Sequence, residues 1–152
     1  MCTTPLLLLA LSALTTALPS PLTPRECTAP TSFQINGFTT FGPAEGNTNP
    51  AFVSFTFASA GTSTRCTRNG DITSATLATC ADGETVFRWS ADRVLTVGTS
   101  YVDCDGNPAV AAGDLGLSVF CFPVVPPVPF GAGTECETPT GQVGGSFTRS
   151  SV

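Results

Sequence analysis

Apolar and polar residues alternate with a period of two over several short windows of the chain. Val53, Phe55 and Phe57 are separated by Ser54 and Thr56, while Leu95, Val97, Thr99 and Tyr101 are separated by Thr96, Gly98 and Ser100. Successive side chains of a strand point to opposite faces, so each window predicts a strand with one buried face. Phe33 and Ile35 around Gln34, Phe87 and Trp89 around Arg88, and Leu115, Leu117 and Val119 around Gly116 and Ser118 repeat the pattern. A weaker strand is expected around Ile72 to Leu77. Phe52 falls on the face opposite Phe55, and Phe120 and Phe122 on the face opposite Val119, so some aromatic side chains must meet a second layer or the surface.

Turn formers separate these windows: Gly42 with Pro43, Asn47 to Pro50, Asn69 with Gly70, Asp82 with Gly83, and Asp105 to Pro108. Gly and Asn supply the positive φ angles of tight turns, and Pro presets its own φ. Beyond the apolar start of the chain, no window keeps a helical period over three turns; Ala109 to Ala112 comes nearest and is too short. About six or seven short strands at such spacing predict an all-β fold, a small antiparallel β-barrel or sandwich.

Two proline-rich stretches break the pattern. Leu18 to Pro30 carries Pro19, Pro21, Pro24 and Pro30 and is expected to form an extended N-terminal arm. Pro123 to Pro129 is expected to run as a polyproline II loop, because proline lacks the amide donor that a paired strand uses. If its flanking residues Cys121 and Cys136 pair, the loop holds Val124, Val125, Val128 and Phe130 toward solvent or folds them over an open barrel mouth, and these four are candidate binding residues.

The start of the chain changes the picture of where the protein works. An apolar run from Leu6 to Leu14 leads to Thr15 and Ala17 ahead of Pro19, the layout of a secretory signal over residues 1–17. A membrane span needs about 20 apolar residues, roughly twice what is present. The expected organisation is a signal at 1–17, the arm at 18–30, a β domain at 31–140 and a flexible polar tail at 141–152. About 135 residues then remain, enough for one domain with a core.

Removing the signal also removes Cys2, leaving Cys27, Cys66, Cys80, Cys104, Cys121 and Cys136. An even number of cysteines in an exported chain reads as a disulfide framework whose connectivity the sequence leaves open. A zinc site is not expected: the spacings are 39, 14, 24, 17 and 15, with no Cys-x-x-Cys and no His. The net charge is -5 and all six basic residues are Arg, without a cluster. Nucleic acid and anionic membrane are therefore not expected as partners, since phosphate binding rests on grouped Lys and Arg. No Asn-x-Ser/Thr sequon occurs.

Composition narrows the chemistry further. Without His or Lys, a serine or cysteine nucleophile lacks its ordinary base, and Schiff-base chemistry has no amine. Cysteines held as disulfides supply no thiolate. Carboxylate pairs remain, and Glu84, Asp103, Asp105 and Asp114 are the candidates for a glycosidase-like pair. Asp103 and Asp105 flank Cys104 beside Gly106-Asn107-Pro108 and read as turn caps, so no catalytic residue is assigned. Asp103-x-Asp105-x-Asn107 with Asp114 echoes a calcium loop, but Pro108 stands where that loop needs Gly, so neither metal nor cofactor is expected. Trp89, Phe87 and Tyr101 form a sugar-stacking platform only if exposed. At period two they read as core, with Trp89 retained as a candidate binding residue.

Taken in order, Cys66, Cys80-Ala-Asp82, Phe87-Arg-Trp89, Leu95-Thr-Val97, Tyr101-Val-Asp103 and Leu115-Gly-Leu117-Ser-Val119-Phe-Cys121 resemble the fungal secreted family typified by the Alternaria major allergen, which includes plant cell-death elicitors. The likeness runs from about Thr31 to Cys136. It implies a compact antiparallel β-barrel with disulfides Cys66 to Cys80 and Cys121 to Cys136, leaving Cys27 for Cys104. Cys104 and the Pro123 to Pro129 loop depart from the family pattern, and in that pattern an N-terminal cysteine can bridge two subunits. With all six cysteines paired internally, a monomer or non-covalent dimer is expected.

The functional expectation is a secreted, extracellular, non-enzymatic effector or elicitor that binds a host or cell-wall protein or glycan. A small-ligand or carbohydrate-binding module is the second reading, and a carboxylate-based hydrolase the third.

Overall fold

The computed structural model describes residues 29–72 and 74–151. The signal at 1–17, most of the arm at 18–30 and Cys27 lie outside the described residues. Among the described residues, eleven strands form two antiparallel sheets. In chain order they are β1 (Ser32–Pro43), β2 (Phe52–Ser59), β3 (Thr62–Asn69), β4 (Ala78–Thr79), β5 (Thr85–Trp89), β6 (Val94–Val102), β7 (Pro108–Gly116), β8 (Phe120–Val124), β9 (Gly133–Glu137), β10 (Gln142–Ser146) and β11 (Arg149–Ser151). The first sheet runs β3-β2-β1-β9-β8, with β10 on the other half of β1, and the second runs β11-β7-β6-β5-β4. The result is a barrel-like sandwich rather than a closed barrel.

The alternating windows supply the core. Phe33 and Ile35 of β1, Val53, Phe55 and Phe57 of β2, Phe87 and Trp89 of β5, and Leu95 and Val97 of β6 are all buried. Facing rings lock the two sheets together. Phe38 lies 4.8 Å from Trp89, and Phe55 meets Phe87 edge-on at 4.9 Å, within the range in which aromatic pairs add stability beyond their burial.

One irregularity in β1 organises the rest. Asn36 pairs with Thr56 but Thr39 pairs with Ser54, so β1 carries one extra residue, a bulge at Gly37 and Phe38. Gly37 has φ +60°, a conformation that glycine adopts without a Cβ penalty. The extra residue flips the parity of the strand. Phe33 and Ile35 face the core before the bulge, and Phe38 and Thr40 face it after; Phe41 is turned to the outer face.

The two sheets are joined at their margins. Cys66 of β3 is bonded to Cys80, just after β4, and Ala81 N donates to Arg65 O at 2.9 Å. On the opposite side β10 pairs with β1 and β11 with β7. Phe147 between them packs 5.0 Å from Phe33. The second disulfide, Cys121–Cys136, crosses from β8 to β9.

Four expectations need correction. The tail at 141–152 is not a flexible extension: β10 and β11 pair it with both sheets, because backbone groups can complete a ladder where the side chains are small and polar. Pro123 lies inside a strand, and residues 126–130 form turns instead of a polyproline II helix. The stretch from Leu115 to Val119 is split, because β7 ends at Gly116 and Leu117 N donates to Arg93 O at 2.9 Å, drawing the chain away. The described residues between Ile72 and Leu77 are not in a strand; the Arg68 guanidinium donates to Thr76 O at 2.6 Å and to Asp71 O at 3.0 Å, bridging the chain on either side.

The placement of Pro123 has a physical reason. Ala44 N donates to Ala132 O at 3.0 Å, which makes Thr40–Cys136 and Gly42–Thr134 the hydrogen-bonded pairs of β1 and β9. Cys136 and Thr134 therefore spend their backbone groups on β1. Their partners on β8, Cys121 and Pro123, turn their own backbone groups away from β9. The missing amide of Pro123 points off the free edge, where it breaks no ladder bond.

Candidate functional site

The candidate carboxylates lie on separate elements with separate tasks. Asp82 follows Cys80 in the turn leading into β5. Its carboxylate accepts Glu84 N–H at 3.1 Å, Thr85 N–H at 3.0 Å and the Thr85 hydroxyl at 2.7 Å. Partial burial pushes its pKa up, but the hydrogen bonds from Thr85 and Glu84 outweigh it and hold the carboxyl below its ordinary value of 3.8. Glu84 is exposed beside it, its carbonyl accepting Ser100 N–H at 3.2 Å.

Asp103 caps the turn between β6 and β7, its Oδ1 accepting Asp105 N–H at 2.9 Å and Asn107 N–H at 2.8 Å. Asp105 and Cys104 are exposed in the same turn. The pairing of Cys104 with Cys27 lies outside the described residues. Asp114 sits on the outer face of β7, where Arg149 of β11 donates to it at 2.8 Å and the Thr96 hydroxyl at 2.7 Å, with Arg88 within 3.4 Å of that hydroxyl. This polar row crosses β5, β6, β7 and β11. Arg149–Asp114 is the one ion pair among the described residues. Among those residues no three His, Cys, Asp or Glu side chains converge on a metal-sized site, and Asp114 is committed to Arg149 rather than joined to Asp103 and Asp105.

Trp89 is corrected as a binding candidate. It is 6 % exposed and packs on Phe38 in the core, Phe87 is fully buried, and Tyr101 is half-buried. Two shallow depressions mark the surface. One of about 410 Å³ is lined by residues including Ser32, Gln34, Ser59 and Ser63, and one of about 330 Å³ by Thr96, Val110, Ala112, Arg149 and Ser150. Neither reaches Trp89, Phe87 or Tyr101.

The loop after β8 divides the remaining candidates. Phe130 folds onto the outer face, 4.6 Å from Phe41 and 5.6 Å from Phe52, and covers the ring that the bulge turned outward. Asn47 Nδ2 donates to Phe130 O at 2.8 Å and Ala132 O at 2.6 Å, and Asn49 Nδ2 to Phe130 O at 3.0 Å, fixing the loop from the β1–β2 connection. Val128 is half-buried, Val124 closes β8, and Val125 is 69 % exposed.

Beside this covered patch lies a surface that the alternation pattern did not mark as a site. Phe120 and Phe122 project from β8 on one face, their rings stacked 5.9 Å apart, with Phe120 63 % exposed. Glu137 stands opposite Phe120 and Glu135 opposite Phe122. The available signal was the pair of phenylalanines two apart across Cys121, with the two glutamates likewise two apart across Cys136.

These features define a class: a small all-β domain of two antiparallel sheets stapled by disulfides, in which Asp82 and Asp103 cap turns and Asp114 pairs across strands. No protein-family model matches the sequence, and no curated protein matches it. Among solved structures the chain shares its fold with the Alternaria alternata allergen Alt a 1. One crystal structure of that allergen superposes with a TM-score of 0.56 over 84 % of this chain and 95 % of the allergen, at 14 % identity. A second, of the major allergen Alt a 1, gives 0.54 over 77 % and 92 % at 16 % identity.

Proposed function

We propose that this protein is a secreted, non-enzymatic effector or elicitor that acts by binding a host or cell-wall component. The observation that carries the reading is the division of labour among its side chains. Of the four acids considered for hydrolysis, Asp103 is engaged in its turn and Asp114 with Arg149, while Glu84 and Asp105 stand exposed on separate turns. Large apolar side chains stand in solvent instead: Phe120, Val125, Leu77 and Val102 are each more than 60 % exposed. Exposed apolar surface on a disulfide-bonded domain suits recognition better than catalysis. Disulfides persist in oxidising compartments, which supports an extracellular place of action, and the fold shared with a fungal allergen is in keeping with it.

The test is infiltration of the purified, oxidised protein into leaf tissue, together with binding to plant apoplastic and cell-wall extracts, using reduced and alkylated protein as control. A response and saturable binding that both depend on intact disulfides are expected. Absence of both with correctly oxidised protein overturns the reading.

A further inference from the structure

We infer that the outer face of the β8–β9 hairpin is a docking surface for an extended protein segment carrying two arginines two residues apart. This deepens the binding role proposed above and rests on it. The surface is built in two rows. Phe120 and Glu137 face each other across the ladder, as do Phe122 and Glu135, and residues directly opposite project from the same face. The rows are about 7 Å apart, the repeat of alternate residues on a strand. Each row therefore presents one aromatic ring next to one carboxylate. Neither glutamate has an ion-pair partner among the described residues, and the segment from Phe120 to Glu137 contains no basic residue.

Charge and shape select the occupant. A guanidinium stacks flat on an aromatic ring while donating to a carboxylate, which an ammonium does less well. Arginines at alternate positions of an extended chain match the spacing of the two rows. A second copy of this protein does not fit, because two such faces would bring four carboxylates together without a cation. An anionic lipid surface is excluded by the same sign of charge. Strand addition along the β8 edge is hindered by Pro123, which removes an outward donor there. The segment lies across the face, not along the edge.

The experiment is titration of the ¹⁵N-labelled, oxidised protein with the peptide acetyl-Gly-Arg-Thr-Arg-Gly-amide, and with the same peptide carrying Glu for Arg. Shift changes confined to β8 and β9, no binding of the acidic peptide, and affinity about tenfold weaker in Glu135→Gln/Glu137→Gln are expected. Phe120→Ser should weaken binding similarly, and the spectra of both variants report whether they remain folded. Shift changes elsewhere, no binding at millimolar peptide, or unchanged affinity in the double glutamine variant overturns the inference. So does a dimer in sedimentation that Phe120→Ser dissolves, since that assigns the face to a second copy. In the leaf assay, equal responses to wild type and a folded Phe120→Ser/Glu137→Gln variant would overturn the docking surface and leave the effector role standing. Silence from wild type itself would sink the effector role, with the peptide titration still deciding the surface.

Discussion

Replacing Asp82 by Ala removes the acceptor of three hydrogen bonds at the corner where the two sheets are tied. Two of them come from Thr85, which is 1 % exposed. Its hydroxyl keeps a contact with Thr99 Oγ1 at 3.3 Å, but its amide is left buried without the carboxylate. A buried donor stripped of its acceptor costs about 1–3 kcal/mol, and Asp82 is itself largely exposed, so we expect a loss of about 2 kcal/mol at neutral pH. Because the folded state holds Asp82 below its ordinary pKa of 3.8, the stabilisation is fully present above that value. It is lost as pH falls through the lower, folded value, where the carboxyl is protonated in both states. Urea unfolding followed by the fluorescence of Trp89, the single tryptophan, measures this directly. The gap between wild type and Asp82→Ala should be constant well above pH 3.8 and shrink as pH falls below it. Equal stabilities at pH 7, or a gap unchanged across the acid range, would refute the assignment.

Two further substitutions probe packing by the same assay. Phe130→Ala uncovers Phe41 and Phe52 and should cost about 2 kcal/mol, while hydrogen exchange shows residues 44–49 still protected, because Asn47 and Asn49 bind the loop backbone and not the ring. At Gly113 an added Cβ would fall against the Ser146 carbonyl and the Phe33 ring, so Gly113→Ala should cost about 1–3 kcal/mol. Gly116→Ala, where a Cβ meets nothing, should stay within about 0.5 kcal/mol of wild type.

The strands that the sequence announces are those whose two faces differ most in polarity. Val53 to Phe57, Phe87 to Trp89 and Leu95 to Tyr101 alternate because one side packs on the opposite sheet, and all three are strands in the structure. Where pairing rests on backbone alone, alternation is silent. The segment from Gln142 to Ser146 is polar and glycine-rich, yet it pairs with β1 because Gly145 leaves room for the Phe33 ring. Ala109 to Ala112 comes nearest to a helical window but is too short for one, and Ala109 and Ala111 are buried in β7 opposite Tyr101 and Thr99 of β6. Local propensity gives way there to the space available between sheets. Asp103 and Asp105 were legible as turn residues from their place beside Gly106, since that preference is local. The exposure of Phe120 was not, because it depends on which strand finishes at the edge of the sheet.

That exposure traces back to the extra residue in β1. Without the bulge at Gly37, the parity set by Phe33 and Ile35 would carry Phe41 to the inner face. With it, Phe41 stands on the outer face, level with Glu135 on β9 and Phe122 on β8. Phe41 is then buried on that side by Phe52 beside it on β2, by Phe130 from the loop and by the close approach of Gly133. The loop spans from β8 to β9 and lays Phe130 on Phe41 and Phe52. Phe120 lies at the far end of β8, near where the chain leaves β7, beyond what Phe130 covers. A one-residue shift in the longest strand thus makes the outer face aromatic, and the length of the covering loop determines how much of it remains open to a partner.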